Sequence, residues 1–510
     1  MRDSNEYKMP KNGSHYLGFD FCSASTCSRL ASSHSRFKMT PALSYIEVAG
    51  GFTPGGIVLL AAASLVLYLT TSSIYYAFFH PLAKVPGPRL YSFTQLPFIY
   101  YYVQGKWERK LEQFHNQYGP AVRFTHKDVS FITVDAFKKI YGHKNNPDRI
   151  FEKDKSFYKS PRGQVDLTTA DNEGHRRGRR ILAHAFSERA LRGQEDIMQE
   201  YVGKFISQLT SRANHGDIVD IVKWFNFTTF DIIGDLAFGE PFGCLDSGGY
   251  HPWVRKIFES VKIIPFAVAI ERLGLGKTMY MLTPPSLKKG EEEHFQLSKA
   301  TALKRIKSRS TEREDFMSYI LRHNDEKGMT ESEIAATSRV LIIAGSETTA
   351  TLLSGATFYL LTNRDKYEKL VKEIRSSFSS KEGITIERTR RYLAASPDCH
   401  QLAGVRPALA NLSKRGKLPL PEDLCSGTLA RRSSIRRRLP GSAAAVFDGS
   451  QKLHCLAYAE MRLILTHLIW NFDLELMQDS KDWDKQRAYF VWEKGALNVK
   501  LTPVSREKQA

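Results

Sequence analysis

Three groups of residues in the 510-residue chain have types and spacing suited to chemistry. The sharpest is Ala344-Gly345-Ser346-Glu347-Thr348-Thr349. An acid followed by an alcohol can deliver protons to a bound oxygen species, and the small Ala344 and Gly345 would let a flat cofactor approach the backbone. A glycine within a helix costs up to about 1 kcal/mol relative to alanine, so its presence asks for a reason. The second group is Gly174-His175-Arg176-Arg177-Gly178-Arg179-Arg180-Ile181-Leu182-Ala183-His184-Ala185-Phe186-Ser187, an arginine cluster on an otherwise amphipathic pattern. Guanidinium groups suit bidentate pairing with carboxylates. The third is the set of six cysteines, Cys22, Cys27, Cys244, Cys399, Cys425 and Cys455, scattered with no C-x-x-C spacing. That distribution predicts no disulfide framework and fits a reducing compartment.

The elements that must position these groups follow from pattern. Thr330 and Glu333 form a capping-box signature ahead of a long apolar-periodic helix that carries residues 344–349. Helical patterns dominate from about Pro147 to Ser379, and Val122–Thr125 with Val129–Val134 reads as a short strand pair. Val48 to Phe79 contains no Asp, Glu, Lys or Arg, and Ile57 to Phe79 is an apolar run ending in Tyr75, Tyr76, Phe78 and Phe79. A helix of that length spans the roughly 30 Å hydrocarbon core, so a membrane anchor is expected over 57–79. Lys84 and Arg89 follow it and place the downstream bulk on the cytoplasmic side. His80-Pro81-Leu82-Ala83-Lys84-Val85-Pro86-Gly87-Pro88 then forms a stiff turn, because prolines fix φ and block helix continuation. The first 38 residues carry Arg2, Lys8, Lys11, Arg29, Arg36 and Lys38 and resemble no cleavable signal; a natural start at Met39 would leave a short, nearly uncharged lead.

A net charge of +19 raises nucleic acid or an acidic surface as partner. Much of the excess lies in the 400s, with Arg406, Lys414, Arg415, Lys417, Arg431, Arg432, Arg436, Arg437 and Arg438 against few acids, in a stretch that lacks helical or strand periodicity. A nucleic-acid surface is therefore not expected.

The hexad at 344–349 resembles the oxygen-activation motif of the cytochrome P-450 monooxygenases, [A/G]-G-x-[D/E]-T-[T/S], at every position. The resemblance implies that Thr348 supports the hydrogen bonds at iron-bound dioxygen and that Glu347 feeds protons towards it. His175 and Arg179 are similar to the family's [W/H]-x-x-x-R pattern, which implies an arginine on a haem propionate. The proline hinge, Asn226-Phe227-Thr228-Thr229-Phe230-Asp231 and Leu456-Ala457-Tyr458-Ala459-Glu460-Met461-Arg462-Leu463-Ile464-Leu465 extend the likeness to fungal members related to isotrichodermin hydroxylases. It covers about residues 57–395 and 456–503.

Between those stretches the family pattern breaks. An E-x-x-R helix, a P-E-R-[F/W] turn and F-x-x-G-x-R-x-C-x-G should all occur, and none stands in its proper context. Glu387-Arg388-Thr389-Arg390 satisfies the first only formally. Cys455, the one cysteine near the haem position, lacks the glycine-rich loop whose N–H groups tune a thiolate, and is not read as the ligand. A frame error accounts for the break. Phe447-Asp448-Gly449-Ser450-Gln451-Lys452-Leu453-His454-Cys455 can be encoded TTC GAT GGG TCC CAG AAA CTG CAT TGC, which one base forward reads S-M-G-P-R-N-C-I. Ala444-Ala445-Val446 likewise yields Q-P-F and Gly427-Thr428-Leu429 yields E-R-W. A segment near Ala395 to His400 is also expected to be missing, because the interval is too short for every absent part.

The resulting expectation is a mainly α fold with a small β subdomain, a cytochrome P-450 fold preceded by one transmembrane helix. Its parts are a lead (1–56), an anchor (57–79), a hinge (80–90), a catalytic domain (91–395), an aberrant segment (396–455) and a C-terminal part of the domain (456–510). The resemblance implies Glu347 and Thr348 as catalytic residues and His175, Arg179, Ala344 and Gly345 against the cofactor. It implies haem, electrons from NADPH through a reductase, a lipophilic substrate and an endoplasmic reticulum location. The rival expectation is a membrane-tethered remnant without haem or activity.

Overall fold

A computed structural model describes residues 54–142, 151–154, 156–158, 165–282, 296, 299–308, 313–326, 328–395 and 441–505. Pro54–Ile74 is an α-helix continued by a π-helical turn, Tyr75–Phe79, and the run Pro54–Phe79 is long and apolar enough to cross a membrane. The chain divides into two units within this helix, at Leu69 and Thr70, and the second unit holds the hinge, the core and the candidate site.

The proline hinge is ordered by specific contacts. His80 Nδ1 accepts from the Leu82 N–H at 3.2 Å to start the 3₁₀ turn Pro81–Lys84. At Gly87 a Cβ would lie 2.1 Å from the Arg123 carbonyl oxygen, so only glycine permits the approach that lets Arg123 N–H donate to Pro86 O at 2.8 Å. Arg123 itself is 1% exposed, and its guanidinium donates to the carbonyls of Tyr76, Thr125 and His126. The hinge is thereby stitched to the strand pair Ala121–Arg123 and Val129–Phe131, which is antiparallel with Val122 opposite Ser130.

The core is built round the helix Glu331–Thr362. Its capping box is formed: Thr330 Oγ1 accepts from Glu333 N–H at 3.2 Å while Glu333 Oε2 accepts from Thr330 N–H at 2.8 Å. Hydroxyls at buried positions on this helix turn back on it, with Ser338, Ser354 and Thr357 each donating to the carbonyl four residues earlier. Ile221–Phe238 packs alongside and is buried at every residue but Lys223. Glu195–His215, Asn172–Ala185 and Phe316–His323 close one side, and Gly441–Asn471 runs beneath. A three-stranded antiparallel sheet puts Asn498–Pro503 between Ile218–Asp220 and Phe472–Leu476, with Val219 opposite Val499 and Leu474 opposite Leu501. A further ribbon pairs Arg487–Ala488 with Trp492–Glu493. The expected mainly α fold with little β structure is observed.

One expectation changes. The last helix begins at Gly441, not at 456, so part of the segment read as aperiodic is helical. Glu387 and Arg390 lie on the helix Ile386–Ala395 as an exposed pair at 3.1 Å, with Glu188 as a second partner at 3.3 Å. Such an exposed pair contributes little, in keeping with the reading that this E-x-x-R is incidental.

Along the last helix, Glu460 is 4% exposed with Oε1 unpartnered, and burial raises its carboxyl well above the usual range. His467, 8% exposed, has Nε2 unpartnered. Burial pushes its imidazole from 6.5 down to about 4, against an Ile384 backbone hydrogen bond and the charge of Glu382. A depressed histidine leaves stability intact above its unfolded value and removes it as the pH falls towards the folded one. A raised carboxylate acts oppositely: its stability is full below its unfolded value and is lost as pH rises through the folded one, so Glu460 gains on the same descent. Comparing urea midpoints of the parent and His467→Gln isolates the histidine. The variant is expected to retain about 3 kcal/mol more of its neutral-pH stability at about pH 4.

Candidate functional site

Ala344 and Thr348 stand one turn apart on the long helix, and both are exposed although the helix crosses the core. Thr348 Oγ1 donates to Ala344 O at 2.5 Å, which satisfies the hydroxyl locally and leaves its lone pairs on the open face. Glu347, one residue earlier, turns about 100° away on the helix. It is 3% exposed and meets a partner that no sequence pattern indicates. Lys494 Nζ pairs with Glu347 Oε1 and donates to Thr351 Oγ1 at 2.8 Å. The acid and the alcohol therefore face different surroundings, and no hydrogen bond joins them among the described residues.

Burial dominates the electrostatics of this pair. It pushes the Glu347 carboxyl up, while Lys494 and the hydrogen bonds from Lys494 and Thr351 pull it back. Burial pushes the Lys494 ammonium down, and Glu347 pulls it back up. Glu347 Oε2 has no partner. Nearby, Asn226 Nδ2 donates to the Tyr250 hydroxyl at 3.0 Å and leaves its own Oδ1 unpartnered. Lys494 is invisible to sequence reasoning because it lies 147 residues from its partner; the local signal is a lone lysine shortly after Trp492 and before a glycine.

Gly345 corrects a reading. A Cβ there would lie 2.5 Å from Ile233 Cδ1, so the space freed by the glycine is filled by the neighbouring helix Ile221–Phe238. Gly345 lets the two helices pack closely and is half-buried, while Ala344 is exposed.

The arginine helix Asn172–Ala185 is capped by Asp171, whose Oδ1 accepts from Gly174 N–H at 2.8 Å. Arg177, not Arg179, reaches the long helix, pairing with Glu333 of the capping box. Arg179 keeps Nε buried without a partner, a donor suited to an anionic oxygen. His175, half-buried beside it, is pushed below the usual range by burial and by Lys153 and Arg179.

These features test the expected haem. The open Ala344 and Thr348 face and the orphaned Arg179 Nε suit a flat, carboxylate-bearing group. The axial thiolate is another matter. Cys244 is fully buried, burial pushes its thiol up to about 12, and its sulfur accepts from His251 N–H at 3.5 Å, so it stays a thiol. No group of three or more His, Cys, Asp or Glu able to hold a metal occurs among the described residues. The Cys455 side chain and Cys22, Cys27, Cys399 and Cys425 lie outside them. Among the described residues no group supplies an axial ligand for a haem.

The profile of the cytochrome P-450 family matches residues 85–392. Cytochrome P-450 monooxygenase aclL of Aspergillus oryzae is 38% identical over 479 residues, covering 86% of this chain and 97% of the relative. Cytochrome P-450 monooxygenase astA of Talaromyces wortmannii is 37% identical over 484 residues, 88% of this chain and 97% of the relative. The trichothecene C-4 hydroxylase of Trichoderma arundinaceum is 34% identical over 503 residues, 89% of this chain and 99% of the relative.

The Gly345 contact predicts a mutational cycle. Gly345→Ala forces a methyl against Ile233 and is expected to destabilise by about 1 to 3 kcal/mol. Ile233→Ala alone costs about 2 to 5 kcal/mol by opening a cavity, and the double variant should be more stable than the sum of the two losses. Denaturant midpoints of the four proteins check it; strict additivity would mean that the two positions do not compete for one space.

Proposed function

Because the chain belongs to the cytochrome P-450 family, a family of monooxygenases, we propose that its intact form is a haem-thiolate monooxygenase that hydroxylates or epoxidises a lipophilic small molecule in fungal secondary metabolism. One observation carries the reading: the hexad 344–349 lies at the middle of the core helix, with Ala344 and Thr348 on an uncovered face and Glu347 held to one side of it. An apolar substrate beside that face would be screened from water, and Thr348 would offer the hydroxyl nearest to it. Glu347 is the acid placed to exchange protons beside the face. The run Pro54–Phe79 supports a single-pass anchor, with the domain on the cytoplasmic side of the endoplasmic reticulum and electrons supplied by an NADPH-dependent reductase. The names of the relatives support oxygenation of small metabolites without fixing which one.

The second reading is favoured by the sequence as written, which has no F-x-x-G-x-R-x-C-x-G loop, and by the absence of a ligand among the described residues: the chain as written is a tethered, haem-free form of that enzyme. The family match stops at residue 392, immediately before residues 396–440, which the structure does not describe. The 479 aligned positions of aclL exceed 86% of a 510-residue chain, so the relative has positions this chain lacks. Both facts support a lost segment and an altered reading frame at 396–455. The two readings concern two forms of one gene product, and the same experiment separates them.

Transcript sequencing across codons 390–460 is expected to restore the frame that reads S-M-G-P-R-N-C-I. The protein expressed from it should give the reduced, carbon-monoxide difference band of a thiolate-ligated haem, and the literal 510-residue chain should give none. A transcript that confirms every residue as written would overturn the frame-error reading. A thiolate band from the literal chain would overturn the haem-free one.

A further inference from the structure

Among the described residues, a buried charge pair joins a residue of the site to a distant part of the chain, and the distant partner has no assigned role. Lys494 sits in the loop after Trp492–Glu493, and that loop is held at three points. Trp483 Nε1 donates to Gly495 O at 2.9 Å while the Trp483 ring packs on Phe358 of the long helix, with ring centroids 5.5 Å apart. Leu497 N–H donates to Asp220 Oδ1 at 3.1 Å, and Ile221 N–H donates to Leu497 O at 3.0 Å. Asp220 stands at the N-cap of the helix Ile221–Phe238, so the loop is fastened to that helix and, through Trp483 on Phe358, to the helix that carries Glu347. From this base the Lys494 side chain enters the core, where 3% of it remains exposed, and ends on Glu347 and Thr351. A lysine buried to that extent is uncommon unless it is paired.

We propose that Lys494 is the positioning residue of Glu347, holding the acid as a carboxylate and directing it away from the Thr348 face. The inference deepens the proposed function by assigning the resting state of its acid. An acid that relays protons passes through its ionised form in every cycle, and that form needs a compensating charge where water is excluded. In a site this dry an unpaired carboxylate would instead keep its proton. The ammonium supplies the charge that prevents this, and the fastened loop fixes where that charge stands. The groups facing Glu347 among the described residues are Lys494 and Thr351, with Tyr250 as the next titratable neighbour. No other cation among the described residues is paired with it. Glu347 Oε2, buried and without a partner, is the oxygen left to accept a proton.

Infrared difference spectroscopy on the full chain in detergent reads the carboxyl directly, whether or not haem is taken up. Failure of this inference is therefore distinct from failure of the monooxygenase reading. At neutral pH the parent minus Glu347→Gln spectrum is expected to show loss of an ionised carboxylate band. Lys494→Met should gain one protonated-carboxyl band that disappears in Lys494→Met/Glu347→Gln and bleaches only at alkaline pH. Lys494→Arg should keep the parental carboxylate. A structural role for Lys494 alone would leave Glu347 ionised in Lys494→Met, and that result overturns the proposal, as would a protonated Glu347 in the parent. Lys494→Gln, which retains a donor for Thr351, carries the same expectation and serves if the methionine variant does not fold.

Discussion

Close approach between the helices Glu331–Thr362 and Ile221–Phe238 governs the rest of the core. Ile233 fills the space a side chain at position 345 would need, so the two backbones meet with little between them. On the long helix the buried hydroxyls of Ser338, Ser346, Ser354 and Thr357 find partners within the helix itself, through carbonyls one turn back. A full charge cannot be satisfied in that way. Removing an ion from water costs several kcal/mol even after relaxation, so Glu347 requires a counter-ion brought from elsewhere. The loop carrying Lys494, fastened to the cap of the partner helix, is the means by which the fold supplies it.

Elsewhere the core treats charge in the same way. Arg305 grips Asp315 through Nε at 3.0 Å and Nη2 at 2.8 Å, and Asp315 also accepts from the N–H of Ser318 at the start of the helix Phe316–His323. Asp235 takes Arg313 and the Tyr201 hydroxyl, the latter at 2.8 Å. Removing one partner from such a set strands the others, which makes these networks costly to break. Glu460 departs from the pattern. It is buried to the same degree, yet no described residue donates to its Oε1, and it avoids the cost only by staying protonated. It stands on the last helix just after residues 396–455, the interval in which the family pattern breaks.

What was legible in the sequence was local. The capping box of Thr330 and Glu333, the strand pair near residue 122, the proline hinge and the long helix are each signalled by neighbouring residues in the chain, and all are found. The aromatic end of the apolar run was also visible, and the helix itself starts three residues before the expected bound, at Pro54. The partnerships across the fold were not legible. Arg177 rather than Arg179 meets Glu333 because the rotation of one helix against another selects among arginines of equal chemistry. Gly345 reads alike in sequence whether a cofactor or an isoleucine fills the space beside it, and only the packing of Ile233 decides. Lys494 carries no motif. The start of the last helix at Gly441 was missed because an aberrant stretch of small residues has no apolar period, while tertiary contacts at its far end hold the helix.

Scaffold and ligand respond differently to a lesion of this kind. Among the described residues, the long helix, the three-stranded sheet and the last helix bury a continuous core. A thiolate ligand, by contrast, is a single side chain whose reactivity depends on the few N–H groups immediately around it. Under the proposed loss or misreading of chain between the helices Ile386–Ala395 and Gly441–Asn471, the thiolate loop would go while the described core contacts remain. Glu347 and Lys494, on a helix and a tail loop outside that interval, would keep their pairing. Glu347 and Lys494 remain paired in a core whose metal-binding half has no counterpart among the described residues.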